Sequence, residues 1–125
     1  MANLNKVFLI GRLVADPELR HTPNGTPYCR FRIAVNRPYK DKQGNWKEDT
    51  LFIDIITWNT SAERIVERFN KGDRVLVEGS LRQDTWETEN GEKRSRIEVR
   101  AERIKAVDPK RETTEELEEV DDIEF

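Results

Sequence analysis

The chain has 125 residues, 35% apolar and 38% charged, the size of one small domain with a lean core and a heavily charged surface. Its longest apolar run, Val7-Phe8-Leu9-Ile10, is too short for a membrane-spanning helix, and Arg12 and Asp16 interrupt the only stretch resembling a secretory leader, so a cytoplasmic protein with no membrane partner is expected. The net charge of -3 is unevenly spread: residues 1–107 hold 20 Lys and Arg against 16 Asp and Glu, residues 108–125 hold 2 against 9, and a mildly basic body with an acidic tail points to a polyanion partner for the body and a separate role for the tail.

Asn5 to Leu13 reads as a first strand, apolar on both faces, so it is buried on both sides or meets a partner subunit. Pro23-Asn24-Gly25 is turn chemistry. Pro27 to Asn36 alternates cleanly, with Cys29, Phe31, Ile33 and Val35 on one face and Tyr28, Arg30, Arg32, Ala34 and Asn36 on the other. That is a half-buried strand whose second face is basic. Arg37 to Asp49, polar and holding Pro38 and Gly44, reads as a long hairpin loop carrying Tyr39 and Trp46. A third strand, Leu51 to Trp58, sets Leu51, Ile53 and Ile55 against Phe52, Asp54, Ile56 and Trp58.

One helix follows. Thr60 and Glu63 fit a capping box, Ala62, Ile65, Val66 and Phe69 make one apolar stripe, and Asn70-Lys71-Gly72 supplies the stop. Asp73 to Leu81 is a fourth strand, in which Gly79 marks a bend or bulge of the kind barrel closure requires. Trp86 lies in the arm of a hairpin whose tip is Asn90-Gly91, and Arg94 to Ala101, extending toward Val107, is a fifth strand. Three strands, one helix and two strands is the order of an all-β fold, the five-stranded Greek-key OB-fold barrel with its helix between strands three and four. The domain division is then 1–107 for the barrel and 108–125 for a short linker and a disordered acidic tail.

Enzyme chemistry finds little support. There is no nucleophile elbow, phosphate-cradling glycine loop or metal-spaced set of cysteines and histidines, so no catalytic residue, cofactor or metal is expected. The single histidine, His21, belongs beside a turn at the surface, and the single cysteine, Cys29, belongs in the core. Asp54 is expected to pair with an arginine on a neighbouring strand.

The aromatics divide into two sets. Phe8, Phe31 and Phe69 fall on faces expected to be buried. Tyr39, Phe52, Trp58 and Trp86 do not fit the core pattern, nor does Trp46, and Arg32, Arg37, Lys40, Lys42, Lys47, Arg82, Arg94 and Arg96 interleave with them. Aromatic rings on a basic sheet face suit single-stranded nucleic acid, because every base has a π-face and stacking needs no sequence. Packing in a core or against a subunit explains any one ring as well. It is the coincidence of strand order, face and charge that points to nucleic acid.

Asn5-Lys6-Val7, Gly11-Arg12-Leu13, Asp16-Pro17-Glu18-Leu19-Arg20, Pro23-Asn24-Gly25, Phe52, Trp58, Lys71-Gly72, Val77-Glu78-Gly79, Leu81-Arg82 and Trp86 occur in an order that resembles the bacterial single-stranded DNA-binding protein family across essentially residues 1–107. The C-terminal Val120-Asp121-Asp122-Ile123-Glu124-Phe125 resembles that family's acidic tip, with a shorter aspartate run and Glu124 where the family has proline. The resemblance implies a homotetramer that coats single-stranded DNA without sequence preference in replication, recombination and repair. It implies base stacking by Tyr39, Phe52, Trp58 and Trp86 and phosphate contacts by Lys6, Lys71, Arg82 and Arg94, to which the basic strand face adds Arg32. Asp121, Asp122, Ile123 and Phe125 would engage partner proteins, the acids steering and the apolar groups anchoring. Trp46 matches no stacking position of the family and is held as a loop residue. The charged linker of about ten residues reaches roughly 17 Å, so the tip would stay near its own barrel and compete with DNA for the basic groove. Three alternatives remain: an OB-fold accessory protein devoted to protein contacts, an RNA-binding OB domain and an OB-fold nuclease.

Overall fold

A computed structural model describes residues 2–108. The elements are β1 (Val7–Leu13), β2 (Arg20–His21), β3 (Pro27–Lys40), β4 (Trp46–Trp58), α1 (Asn59–Arg68), β5 (Arg74–Glu87) and β6 (Lys93–Ala106). The strands lie in the order β1-β5-β6-β4-β3-β2, and β1 closes the barrel by pairing also with β3. Five strands make the barrel and β2 is a two-residue flap on β3. This is the expected OB-fold, with the helix between its third and fourth long strands.

Alternation decides what enters the core. Cys29, Phe31 and Ile33 from β3, Ile55 from β4, Val75 and Val77 from β5, Val99 from β6 and Leu13 from β1 point inward and are buried. The apolar stripe of α1 contributes Ala62 and Ile65, with Phe69 just beyond its end, to the same cluster. Burial pushes the Cys29 thiol up to about 11, so it stays protonated and serves as a small apolar filler.

The barrel is bent where the sequence places Gly79. On β5 and β6, Glu78 pairs with Arg103 and Gly79 with Ala101, so Glu102 is an unmatched bulge residue. A Cβ at Gly79 would stand 2.2 Å from the Arg100 carbonyl oxygen. The strands approach this closely because residue 79 has no side chain.

Four expectations need correction. The long loop expected from Arg37 to Asp49 is mostly strand, since β3 and β4 pair as far as Lys40 and Trp46. The true turn is 41–45, where Asp41 exchanges backbone hydrogen bonds with the turn and its Oδ1 accepts from the amides of Gln43 and Asn45. The capping box does not form. Strand β4 runs directly into α1, Trp58 occupies the N-cap in an extended conformation without a side-chain cap, and Thr60 is already inside the first turn. Phe8 is not core: β1 turns Val7 and Leu9 toward the barrel interior, leaving Phe8 63% and Ile10 40% exposed. Finally β5 does not end at Leu81 but continues to Glu87, so the expected hairpin arm holding Trp86 is part of that strand.

Candidate nucleic-acid interface

The β3–β4 register fixes which side chains share a face. Tyr28 opposes Trp58, Arg30 opposes Ile56, Arg32 opposes Asp54 and Ala34 opposes Phe52. All eight alternate onto the outer side of the ribbon, opposite Phe31, Ile33 and Ile55. Phe52 is 58% exposed. Trp58 is half-buried because its ring leans on Tyr28, with centroids 5.4 Å apart at 37°. Two of the expected stacking rings thus stand on one basic face. Asp54 pairs with an arginine as expected: Arg32 Nε donates to its Oδ1 at 2.9 Å, and this bond raises the guanidinium pKa further.

The second half of the face comes from β5 and β6, where Arg82 opposes Glu98, Asp84 opposes Arg96 and Trp86 opposes Arg94. Trp86 is 42% exposed and the Arg96 guanidinium lies 5.1 Å from its ring centroid, a cation–π contact that holds the ring outward. Arg94 is exposed and pairs with Glu92 at 2.8 Å.

A charge network joins the two halves. Glu98 is wholly buried, and its carboxylate accepts from Arg30 Nε at 2.9 Å, across the intervening strand β4. Arg82 and Arg96 stand 3.8 and 3.7 Å from the same carboxylate. Asp84 meets Arg96 at 3.2 Å, Arg82 at 3.7 Å and Arg30 at 3.9 Å. Arg96 Nε is shielded from solvent and has no hydrogen-bond partner. Three guanidiniums face two carboxylates, so a net positive charge is held between Trp58 and Trp86. From the sequence Arg82 was expected on the phosphate path, Arg30 on the basic strand face and Arg96 among the basic residues around the aromatics, while Asp84 and Glu98 were not singled out. The only available signal was the alternation of opposite charges on paired strands.

Other expected residues lie elsewhere. Tyr39 is on β3, not in a loop, and alternates onto the side of Val35, opposite Phe52 and Trp58; Arg37 lies 5.4 Å from its ring. Lys6 sits beside Phe8, ahead of β1, with its ammonium 2.8 Å from Glu102 and 3.7 Å from Glu78. The Glu102 hydrogen bond raises its pKa above the ordinary lysine value. Lys71 is in the turn after α1, where its backbone N–H donates to Asp16 Oδ1. Asp121, Asp122, Ile123 and Phe125 lie outside the described residues. Trp46 heads β4 instead of lying in a loop.

Most of these cations are partnered by carboxylates, yet the pairs of Arg32, Arg94 and Lys6 are substantially exposed. Solvent screens such pairs strongly, so a phosphate oxygen can replace the carboxylate at small cost. Among the described residues, no group of three or more His, Cys, Asp or Glu is placed to hold a metal ion. No helix among them is long and apolar enough to cross a membrane.

Residues 4–107 match the family described as the single-strand binding protein family. The chain is 44% identical over 104 residues to the single-stranded DNA-binding protein of Aquifex aeolicus, spanning 83% of this chain and 70% of that one. It is 35% identical over 120 residues to single-stranded DNA-binding protein 2 of Chlorobaculum tepidum, spanning 95% and 81%. Among solved structures it is similar to Plasmodium falciparum SSB in complex with ssDNA, with a TM-score of 0.77 and 26% identity over 86% of this chain and 98% of that one.

Proposed function

The chain belongs to the single-strand binding protein family, and on that premise we propose that it binds and coats single-stranded DNA without sequence preference, as a binding protein and not an enzyme. The observation that carries the reading is the basic outer face on which Phe52, Trp58 and Trp86 stand around the Arg30–Glu98 network. The rings stack on bases, and Arg32, Arg82 and Arg94 beside them meet phosphates. Tyr39 takes a base where the strand passes to the other side of the β3–β4 ribbon. Lys6 and Lys71 extend the cationic path. Among the described residues this face has no helix to enter a duplex groove; α1 is committed to the barrel core.

Titration with oligo-dT is expected to quench the intrinsic tryptophan fluorescence at low salt, and added salt to weaken binding with a log–log slope of about -0.7 per phosphate neutralised. A folded protein whose fluorescence does not change with oligo-dT overturns the stacking assignment and favours a protein-contact module. RNA of the same length, and labelled single strand incubated with Mg²⁺, separate the RNA-binding and nuclease readings.

We also propose self-association to a homotetramer. Residues 7–10 of β1 pair with β5 alone, leaving their other edge without a strand among the described residues. Phe8 and Ile10 lie exposed on the outer side of the same strand. An open edge beside exposed apolar side chains is what a second copy covers. Phe8→Glu is expected to lower the mass in sedimentation equilibrium while leaving the fold intact; an unchanged mass excludes this surface. For the tail we propose recruitment of replication, recombination and repair proteins in the cytoplasm through Asp121, Asp122, Ile123 and Phe125.

A further inference from the structure

Trp46 is 69% exposed, more than Phe52 or Trp86. An indole this open contributes nothing to the barrel core and costs solubility. It is nonetheless held firmly. Trp46 pairs in register with Lys40, and the turn beyond them is closed by the Asp41 N–H to Asn45 carbonyl bond and by Asp41 Oδ1. Lys40 Nζ lies 5.1 Å from the ring centroid, so the ammonium covers one side of the indole and leaves the other free.

The position continues an existing row. Trp46, Phe52 and Trp58 follow each other at intervals of six residues on β4, so alternation puts all three on one side of the ribbon, with gaps of about 20 Å. The right-handed twist of a two-stranded ribbon turns the row gradually around its axis. Charge supports the same direction. Lys40, Lys42 and Lys47 form no ion pair among the described residues, while the Asp41 carboxylate is used by turn amides and that of Asp49 by Arg37. The hairpin end is therefore an aromatic ring beside the Lys40 ammonium, with Lys42 in the adjoining turn, Lys47 on the other side of the ribbon and the Glu48 carboxylate on the ring's own side; a ring beside an ammonium that has no carboxylate partner accepts a base and a flanking phosphate.

We infer that Trp46, backed by Lys40, is a further base-stacking position that carries the single-stranded DNA path beyond Phe52 to the end of the β3–β4 hairpin. The inference rests on the single-stranded DNA reading given above. The strand that stacks on Trp58 and Phe52 continues outward along β4. One base lies on the free side of the Trp46 ring, and a phosphate beside it approaches Lys40.

The test compares wild type, Trp46→Ala and Trp46→Phe on two oligo-dT probes, one long enough to reach from Trp58 to the hairpin end and one too short. Trp46→Ala is expected to weaken the long probe about tenfold and to leave the short probe and the melting temperature unchanged. Trp46→Phe should keep most of the affinity, and Lys40→Gln should make binding of the long probe less dependent on salt. Equal affinity of wild type and Trp46→Ala for the long probe overturns the inference. So does a drop in sedimentation mass for Trp46→Ala, because the ring is then a contact between copies. If wild type itself fails to bind either probe, the proposed function falls, a result distinct from failure of the hairpin position alone.

Discussion

Replacing Trp58 and Trp86 together by alanine is expected to lower the affinity for oligo-dT about a thousandfold at low salt. Each base stack contributes about 1–3 kcal/mol, and about 1.4 kcal/mol is a factor of ten. The two rings are on different strands and have different neighbours, Tyr28 for Trp58 and Arg96 for Trp86. Their losses should therefore nearly add. The paired Trp→Phe variant retains most of the affinity, because phenylalanine keeps a π-face at each place. Trp58 is half-buried, so a melting curve must accompany the titration. A folded double-alanine variant that binds within threefold of wild type would show that the affinity resides in the cations alone. The salt slope of the double variant should stay near that of wild type, since the phosphate contacts remain.

Removing the Glu98 carboxylate has the largest effect on the fold. Glu98→Ala is expected to cost about 3–5 kcal/mol, the range for breaking a buried ion pair by deleting one partner. The reason is local. Glu98 has no exposed surface, and it is the hydrogen-bond acceptor for Arg30 Nε, with Arg82 and Arg96 beyond. Without it three guanidiniums face only Asp84. For a domain of this size the melting temperature should fall by about 15 °C or more. Glu98→Gln keeps an acceptor oxygen and most of the volume, and should lose less. A Glu98→Ala melting temperature within a few degrees of wild type would mean that water or the remaining carboxylate already neutralises the site. Because the same guanidiniums lie between Trp58 and Trp86, the variant should also bind oligo-dT more weakly even well below its melting point.

Where burial imposed a period, the chain was readable. The alternation of Cys29, Phe31, Ile33 and Val35 located a strand because the barrel interior accepts every second residue. Gly79 announced the bend because no side chain fits against the Arg100 carbonyl. The Asn90-Gly91 turn closed as its residue types require, with the Gly91 N–H donating to the Thr88 carbonyl. Legibility failed where burial imposes nothing. Beyond the barrel both sides of the β3–β4 ribbon meet solvent, so its residues are polar on both faces and look like a loop. That is why Trp46 was misplaced. The burial of Glu98 was hidden for a different reason: its partners come from β3, β5 and its own strand, and no local spacing brings Arg30 and Arg82 to one carboxylate. Phe8 was misassigned because an apolar residue looks the same whether it faces the chain's own core or an open surface. On the outer face, Phe52, Trp58 and Trp86 were legible as misfits to the core pattern and Arg82 as a basic residue among them. The network binding them together was visible only once the strands were assembled.

The order of pairing also governs how the barrel comes together. The β3–β4 and β5–β6 ladders join residues close in the chain, and local hairpins form on the scale of about 1–10 μs. Strand β1 is different. Val7 meets Gly79 and Leu9 meets Val77, whereas its contact with β3 is limited to Arg12 and Leu13. On the ribosome β1 emerges first yet waits for β5 before most of its backbone finds a partner. During that interval Val7-Phe8-Leu9-Ile10 is an unpaired apolar segment, the part of the nascent chain with most need of shielding. Closure of the barrel by β1, like the β4–β6 pairing of Ile55 with Val99, is a non-local step of the kind that slows folding.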